Sequence, residues 1–129
     1  MKSGQVVAIS LWSGAIFAAL GATYLHAQPT KAAPAYVVLE FTVKDPDGFK
    51  DYAQRAPATV NQHGGKFIVR PGKIVSLKGD APKGPFAVLA FDSVEHAQKW
   101  ASSPEYTAIV PLRDKSADAR MFVVEGVAP

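Results

Sequence analysis

From residue 36 onward the chain switches between a period of two and a period near 3.6. Tyr36-Val37-Val38-Leu39-Glu40-Phe41-Thr42-Val43 is rich in β-branched and aromatic residues and reads as a strand. Val37, Leu39, Phe41 and Val43 fall on one face, the predicted core side; Tyr36, Val38, Glu40 and Thr42 fall on the other. The second face is mixed, and on so apolar a strand that points to a partly enclosed cavity or a subunit contact. Asp45-Pro46 then opens a helix, with aspartate as cap and proline at the first helical position. Phe49, Tyr52, Ala53, Ala56 and Val60 form its buried stripe. Pro57 lacks the N–H that would bond back to Ala53, which predicts a kink or restart. The helix is expected to end at His63-Gly64, where glycine can take the left-handed conformation.

Phe67 to Arg70 and Ile74 to Leu77 read as one edge strand, bulged at Pro71-Gly72. Gly79 to Pro85 is a loop by composition, and Phe86 to Phe91 is apolar on both faces, as a central strand should be. Ser93 caps a second helix with Val94, Ala97, Trp100 and Ala101 on one face. Ser103-Pro104-Glu105 opens a further short helix that turns Tyr106, Ile109 and Val110 inward and stops or bends at Pro111. Met121 to Val127 is the last predicted strand.

The resulting order, β-α-β-β-α-β, is an α+β ferredoxin-like arrangement with a four-stranded antiparallel sheet, whose first and third strands are central. Helices on one side leave the other side of the sheet bare. Val38, Ile68 or Val69, Val88 and Val123 would then meet water, which single soluble domains avoid. Pairing of two sheets across a two-fold axis removes the exposure, so a homodimer with a barrel-like interior is expected.

Composition narrows the picture further. A chain of 129 residues with 48% apolar content supports one domain with its own core. The net charge of +3 is modest and its basic residues are scattered, so no nucleic-acid surface is expected. There is no cysteine, which excludes disulfides, thiolate metal sites and cysteine nucleophiles. His26, His63 and His96 are too far apart to have ligand-like spacing, and no metal or cofactor is expected. The start of the chain stands apart. After Met1-Lys2, an uncharged, mostly apolar run extends from Val6 to Ala22, short of the roughly 20 residues that comfortably span a bilayer. Leu25-His26-Ala27 follows as a small-residue exit, so residues 1–27 read as a secretory signal. The rival is an uncleaved inner-membrane anchor over residues 6–25. Residues 28–35 are a linker, residues 36–129 form the folded domain, and the expected compartment is the periplasm.

Asp45-Pro46, Tyr52, Pro57-Ala58-Thr59, His63-Gly64-Gly65-Lys66-Phe67 with Arg70 and Gly72, and Gly79-Asp80 carry a family resemblance. Trp100, Ser103-Pro104-Glu105-Tyr106 and Val124-Glu125-Gly126 complete it. Over Tyr36 to Val127 the chain resembles the domain-of-unknown-function family numbered 1330, within the dimeric α/β-barrel group. That resemblance implies the ferredoxin-like fold and the dimer. It implies no single reaction, because relatives in the group include cofactor-independent monooxygenases, lactone isomerases and haem-handling proteins. Ala81, Pro82 and Lys83 stand where family members often carry a tryptophan and an arginine.

Several residues are candidates for chemistry. His63 can change charge near neutral pH and could act as acid or base, or it simply suits the partial negative charge of a helix end. Gly64 and Gly65 could present backbone N–H groups to an anion, or merely turn the chain. Glu40, on the mixed face, could be a base inside a dimer barrel, or an ion-pair partner of Arg70 or another cation. Arg70 could hold a ligand carboxylate bidentately or neutralise Glu40. Trp100 and Tyr106 lie on apolar helical faces, where packing is the default and ligand contact the alternative. The expectation is an exported homodimer that binds a small, partly apolar or acidic molecule in the barrel cavity. A cofactor-independent isomerase or monooxygenase is the rival, and a structural dimer module without ligand is a third possibility.

Overall fold

The structure is a computed structural model that describes Gly4 and residues 30–129. The expected signal or anchor over residues 1–27 lies outside the described residues. The domain contains strands β1 (Ala35–Val43), β2 (Lys66–Val69), β3 (Phe86–Phe91) and β4 (Ala117–Glu125). Its helices are α1 (Pro46–Gln62), α2 (Val94–Ala101) and α3 (Pro104–Ser116), giving the order β-α-β-β-α-α-β. The four strands form one antiparallel sheet in the order β2-β3-β1-β4, so the two most apolar strands are indeed central.

Local sequence explains the helix ends. Asp45 accepts a hydrogen bond from the Gly48 amide, Ser93 from the His96 amide and Ser103 from the Tyr106 amide. Each supplies an acceptor for an otherwise unpaired N–H in the first turn. At the other end of α1 the Gly64 amide donates to Asn61 and the Gly65 amide to Val60. This is a Schellman closure, with Gly64 in the left-handed region at φ +74°.

The core lies between the helices and one face of the sheet. Val37, Leu39 and Phe41 of β1 and Ala87, Leu89 and Phe91 of β3 pack against Tyr52, Ala56 and Val60 of α1. Trp100, Tyr106 and Ile109 close it from α2 and α3. Among the described residues the opposite face carries no helix, and Ile68, Val69, Phe122 and Val124 are exposed on the two outer strands.

Four local expectations are corrected. Ile74 to Leu77 is not a strand, because the chain leaves β2 after Val69 and the segment finds no partner strand among the described residues. Val123 belongs to the core side, since it sits directly opposite Val37; the exposed apolar residues of β4 are Phe122 and Val124. The helix does not restart at Pro57 or stop at Pro111: of the alternatives expected there, those two are excluded, because burial of Ala56 and Val60, or of Tyr106 and Ile109, outweighs one missing hydrogen bond. Finally, β4 starts at Ala117 rather than Met121, because β1 offers it nine consecutive partners from Ala35 to Val43. Among the described residues, no helix is long and apolar enough to cross a membrane.

Candidate functional site

The helix side of the sheet holds an apolar cleft of about 110 Å³ between α1 and the strands. Leu39 and Phe41 of β1 and Ala87 and Leu89 of β3 form its floor. Phe49, Tyr52, Ala53, Ala56 and Val60 of α1 form one wall, and Phe67 closes the β2 side. These are the i, i+3, i+4 stripe and the inward strand positions, so periodicity alone assembles the cleft. Its mouth is lined by Pro57, Arg70, Pro71 and Pro85, and Trp100 reaches its inner end.

The aromatic lining is rigid. Phe41, Phe49 and Tyr52 meet edge-on or tilted at centroid distances of 5.0 to 5.9 Å. Trp100 packs at 4.2 Å on Tyr106 and donates its ring N–H to Thr59 Oγ1 at 3.0 Å. Thr59 in turn donates to the Ala56 carbonyl at 2.8 Å. Every polar atom of that wall is therefore committed, and the surface offered to a ligand is hydrocarbon.

Behind Tyr52 lies a second polar chain. The Tyr52 and Tyr106 hydroxyls share a hydrogen bond of 3.0 Å, and Arg113 donates to the Tyr106 oxygen at 2.9 Å. Arg113 is held in turn by Asp114. Burial, and then the Tyr106 hydroxyl beside it, push the Tyr52 phenol well above its ordinary value. Tyr52 is thus a neutral phenol at physiological pH, suited to donate a hydrogen bond and unsuited to abstract a proton. Arg113 had not been singled out in the sequence; its spacing of seven residues from Tyr106, two helical turns, was the available signal.

Arg70 is the cation at the mouth. Its guanidinium lies 4.8 Å over the Phe67 ring, and among the described residues it makes no ion pair. It does not meet Glu40. Glu40 lies on the opposite face of the sheet and accepts two hydrogen bonds from Arg120, at 3.0 and 3.1 Å. Those bonds, and the charge that goes with them, hold the exposed Arg120 guanidinium above its ordinary value. Arg120 faces Glu40 because the two are direct cross-strand partners, a pairing visible only once the register is known.

The remaining candidates are placed elsewhere. His63 caps α1 at the surface and pairs with Glu105 at 3.2 Å, joining the end of α1 to the start of α3. The Glu105 carboxyl is lowered first by its own backbone N–H and then by His63. The amides of Gly64 and Gly65 are both spent on α1 carbonyls, so they do not form an anion nest. Gly65 is needed for a different reason: a Cβ there would lie 2.5 Å from the Phe91 ring. Tyr106 is buried behind the cleft wall, whereas Trp100 is part of it. Among the described residues no group of three or more His, Asp or Glu is placed to hold a metal ion.

The model of the family described as domain of unknown function (DUF1330) matches residues 34–127. The chain belongs to that family. Solved structures share the fold of this DUF1330 domain. A protein of unknown function from Rhodopseudomonas palustris aligns with a TM-score of 0.59 at 16% identity, covering 75% of this chain and 85% of its own. SnoaB from Streptomyces nogalater, described as a cofactor-independent oxygenase, aligns at 0.53 and 15% identity, covering 76% and 97%. A hypothetical protein of Arabidopsis thaliana aligns at 0.56 and 14% identity, covering 81% and 96%. At such identities the likeness establishes the ferredoxin-like α+β fold. No curated protein matches the chain.

Proposed function

We propose that this DUF1330 domain is an exported, homodimeric binding protein for a small, largely apolar molecule bearing one anionic group. The observation that carries it is the cleft between α1 and the sheet: a hydrocarbon-walled space with Arg70, unpaired among the described residues, at its mouth. Burial of an apolar ligand body supplies affinity, and the guanidinium fork selects a carboxylate or similar anion. This moves the binding space from the barrel interior to the helix side of each sheet. The bare face, with Phe122, Val124, Ile68 and Val69 exposed, is assigned to the second copy. The apolar run near the N-terminus supports export, as a cleaved signal or as an anchor.

The enzymatic alternative is weaker on this geometry. Glu40 and His63, the candidate bases, lie outside the cleft, and the ionisable residues lining it are Tyr52 and Arg70. The Tyr52 phenol already shares its hydroxyl with Tyr106, and the Arg70 guanidinium can stabilise an anion; neither removes a proton. Likeness in fold to a cofactor-independent oxygenase does not supply the missing base.

Native mass spectrometry on protein purified from its own exported fraction tests all parts of the proposal. A dimer carrying an extra mass that resolves to an organic acid is the expected result. A ligand-free monomer would contradict both the binding and the dimer, and protein found only in the cytoplasm would contradict export.

A further inference from the structure

We propose that residues 72–79 form an exchange arm: an extended segment that adds to the open edge of β4 in a second copy and seats Leu77 in the groove between that copy's β4 and α2. The proposal rests on the homodimer put forward above and identifies the contact that holds it.

Lys73-Ile74-Val75-Ser76-Leu77-Lys78 has the composition of a strand, yet it lies outside the sheet. Ile74, Val75 and Leu77 are 41%, 66% and 98% exposed. Three large apolar side chains in six residues, with a backbone unpaired among the described residues, form a template for pairing with another chain. The arm does not prolong β2 in its own sheet: the ladder with β3 ends at Val69, and Pro71 has no N–H to give to it. Its two ends are fixed beside β2 and β3, and its own β4 lies across β3 and β1, about 14 Å away at ordinary strand spacing. The other open edge of the sheet is therefore offered to a different molecule.

That edge is built to receive it. β4 is an outer strand, and a groove of about 150 Å³ runs between it and α2, lined by Ala97, Trp100, Ala101, Met121 and Val123. Its surface is almost wholly apolar, as a leucine side chain requires. Charge agrees at one end: Lys73 and Lys78 bracket the arm and Glu125 closes β4, while Asp118 near its start is already paired with Lys44. A two-fold axis makes the contact twice, closing one open edge of each sheet with the other chain's arm. The arm also bears on ligand binding, because Arg70 and Pro71 at its root line the cleft mouth. Docking the arm on the second copy fixes the position from which Arg70 reaches a ligand.

The test uses the full chain in mild detergent and two kinds of variant. Leu77→Asp changes a side chain that the isolated domain leaves in water, so its fold is retained. The dimer dissociation constant should rise about tenfold or more, the loss expected for burial of one leucine. Because the natural chain has no cysteine, Leu77→Cys and Ala101→Cys proteins can be mixed and oxidised. A disulfide between the two different chains, formed in the mixture and absent from either protein alone, is the expected result. A wild-type dimer that Leu77→Asp leaves equally tight, with no mixed disulfide, overturns the arm while leaving the homodimer standing. A wild-type monomer overturns both.

Discussion

Replacing Gly65 with alanine would put a methyl carbon 2.5 Å from Phe91 Cε1 and 2.9 Å from Val60 Cγ1. Both neighbours are buried core side chains, 3% and 0% exposed, so neither can swing into solvent. Relief must come from shifting β3 against α1, and the cost belongs at the upper end of the overpacking range, about 3 kcal/mol. Gly64 offers the internal control. Among the described residues nothing lies within 4 Å of a Cβ built there, and the penalty is only that of a left-handed backbone at φ +74°, about 1 kcal/mol. For a domain of this size each kcal/mol lowers the midpoint by about 4–8 °C. Gly65→Ala should therefore melt at least twice as far below wild type as Gly64→Ala in thermal or urea unfolding. The same pair bears on function. If the glycines close α1 rather than cradle an anion, inorganic phosphate should shift the wild-type and variant midpoints equally. Equal losses in the two variants, or a phosphate-dependent midpoint abolished by either, would refute this assignment.

Other consequences are smaller and equally open to measurement. Thr59→Val leaves the buried Trp100 N–H without its acceptor and should cost about 1–3 kcal/mol in urea unfolding, whereas Thr59→Ser should restore most of it. The Tyr52 phenol is raised above its ordinary 10.0 by burial and by Tyr106, so its contribution to stability is complete below pH 10 and lost as pH rises further. Tyr52→Phe should flatten that alkaline loss, and an unchanged alkaline slope would contradict the buried phenol. Arg120→Ala should leave the urea-unfolding midpoint of the isolated domain close to wild type, because the guanidinium is 70% exposed and its pair with Glu40 is screened by solvent.

What was legible in the sequence followed from strong local signals. Asp45, Ser93 and Ser103 announced their helices because a side-chain oxygen before an apolar stripe has few other uses. β1 and β3 were recognisable as central because both of their faces are apolar or mixed. What was not legible depended on partners. Ile74 to Leu77 has a strand's composition, but a strand exists only where another chain segment pairs with it. Ala117 to Arg120 has none of that composition and is a strand because β1 pairs with it. The site was hidden for a related reason. The register shift between Phe67 and Val69 breaks the count of alternating faces. Arg70 therefore could not be placed from the sequence, and it lies at the helix-side cleft rather than beside Glu40. Trp100 and Arg70 were identifiable as residue types; that they belong to one cleft, and Glu40 and His63 to other surfaces, required the fold.

The central claim, an anion-selective apolar cleft with Arg70 at its mouth, is tested most directly by following Trp100 as ligand binds. A Trp12→Phe background leaves Trp100 as the sole tryptophan in the chain. Titration with naphthoate should give a saturable change in its fluorescence, and naphthamide, the same body without the charge, should bind more weakly. Arg70→Ala should weaken naphthoate binding by about tenfold or more while leaving naphthamide unchanged, the loss expected for one charged hydrogen-bonded contact. Equal affinities for acid and amide in the wild type, or an Arg70→Ala protein that binds naphthoate as well as the wild type does, would contradict the account.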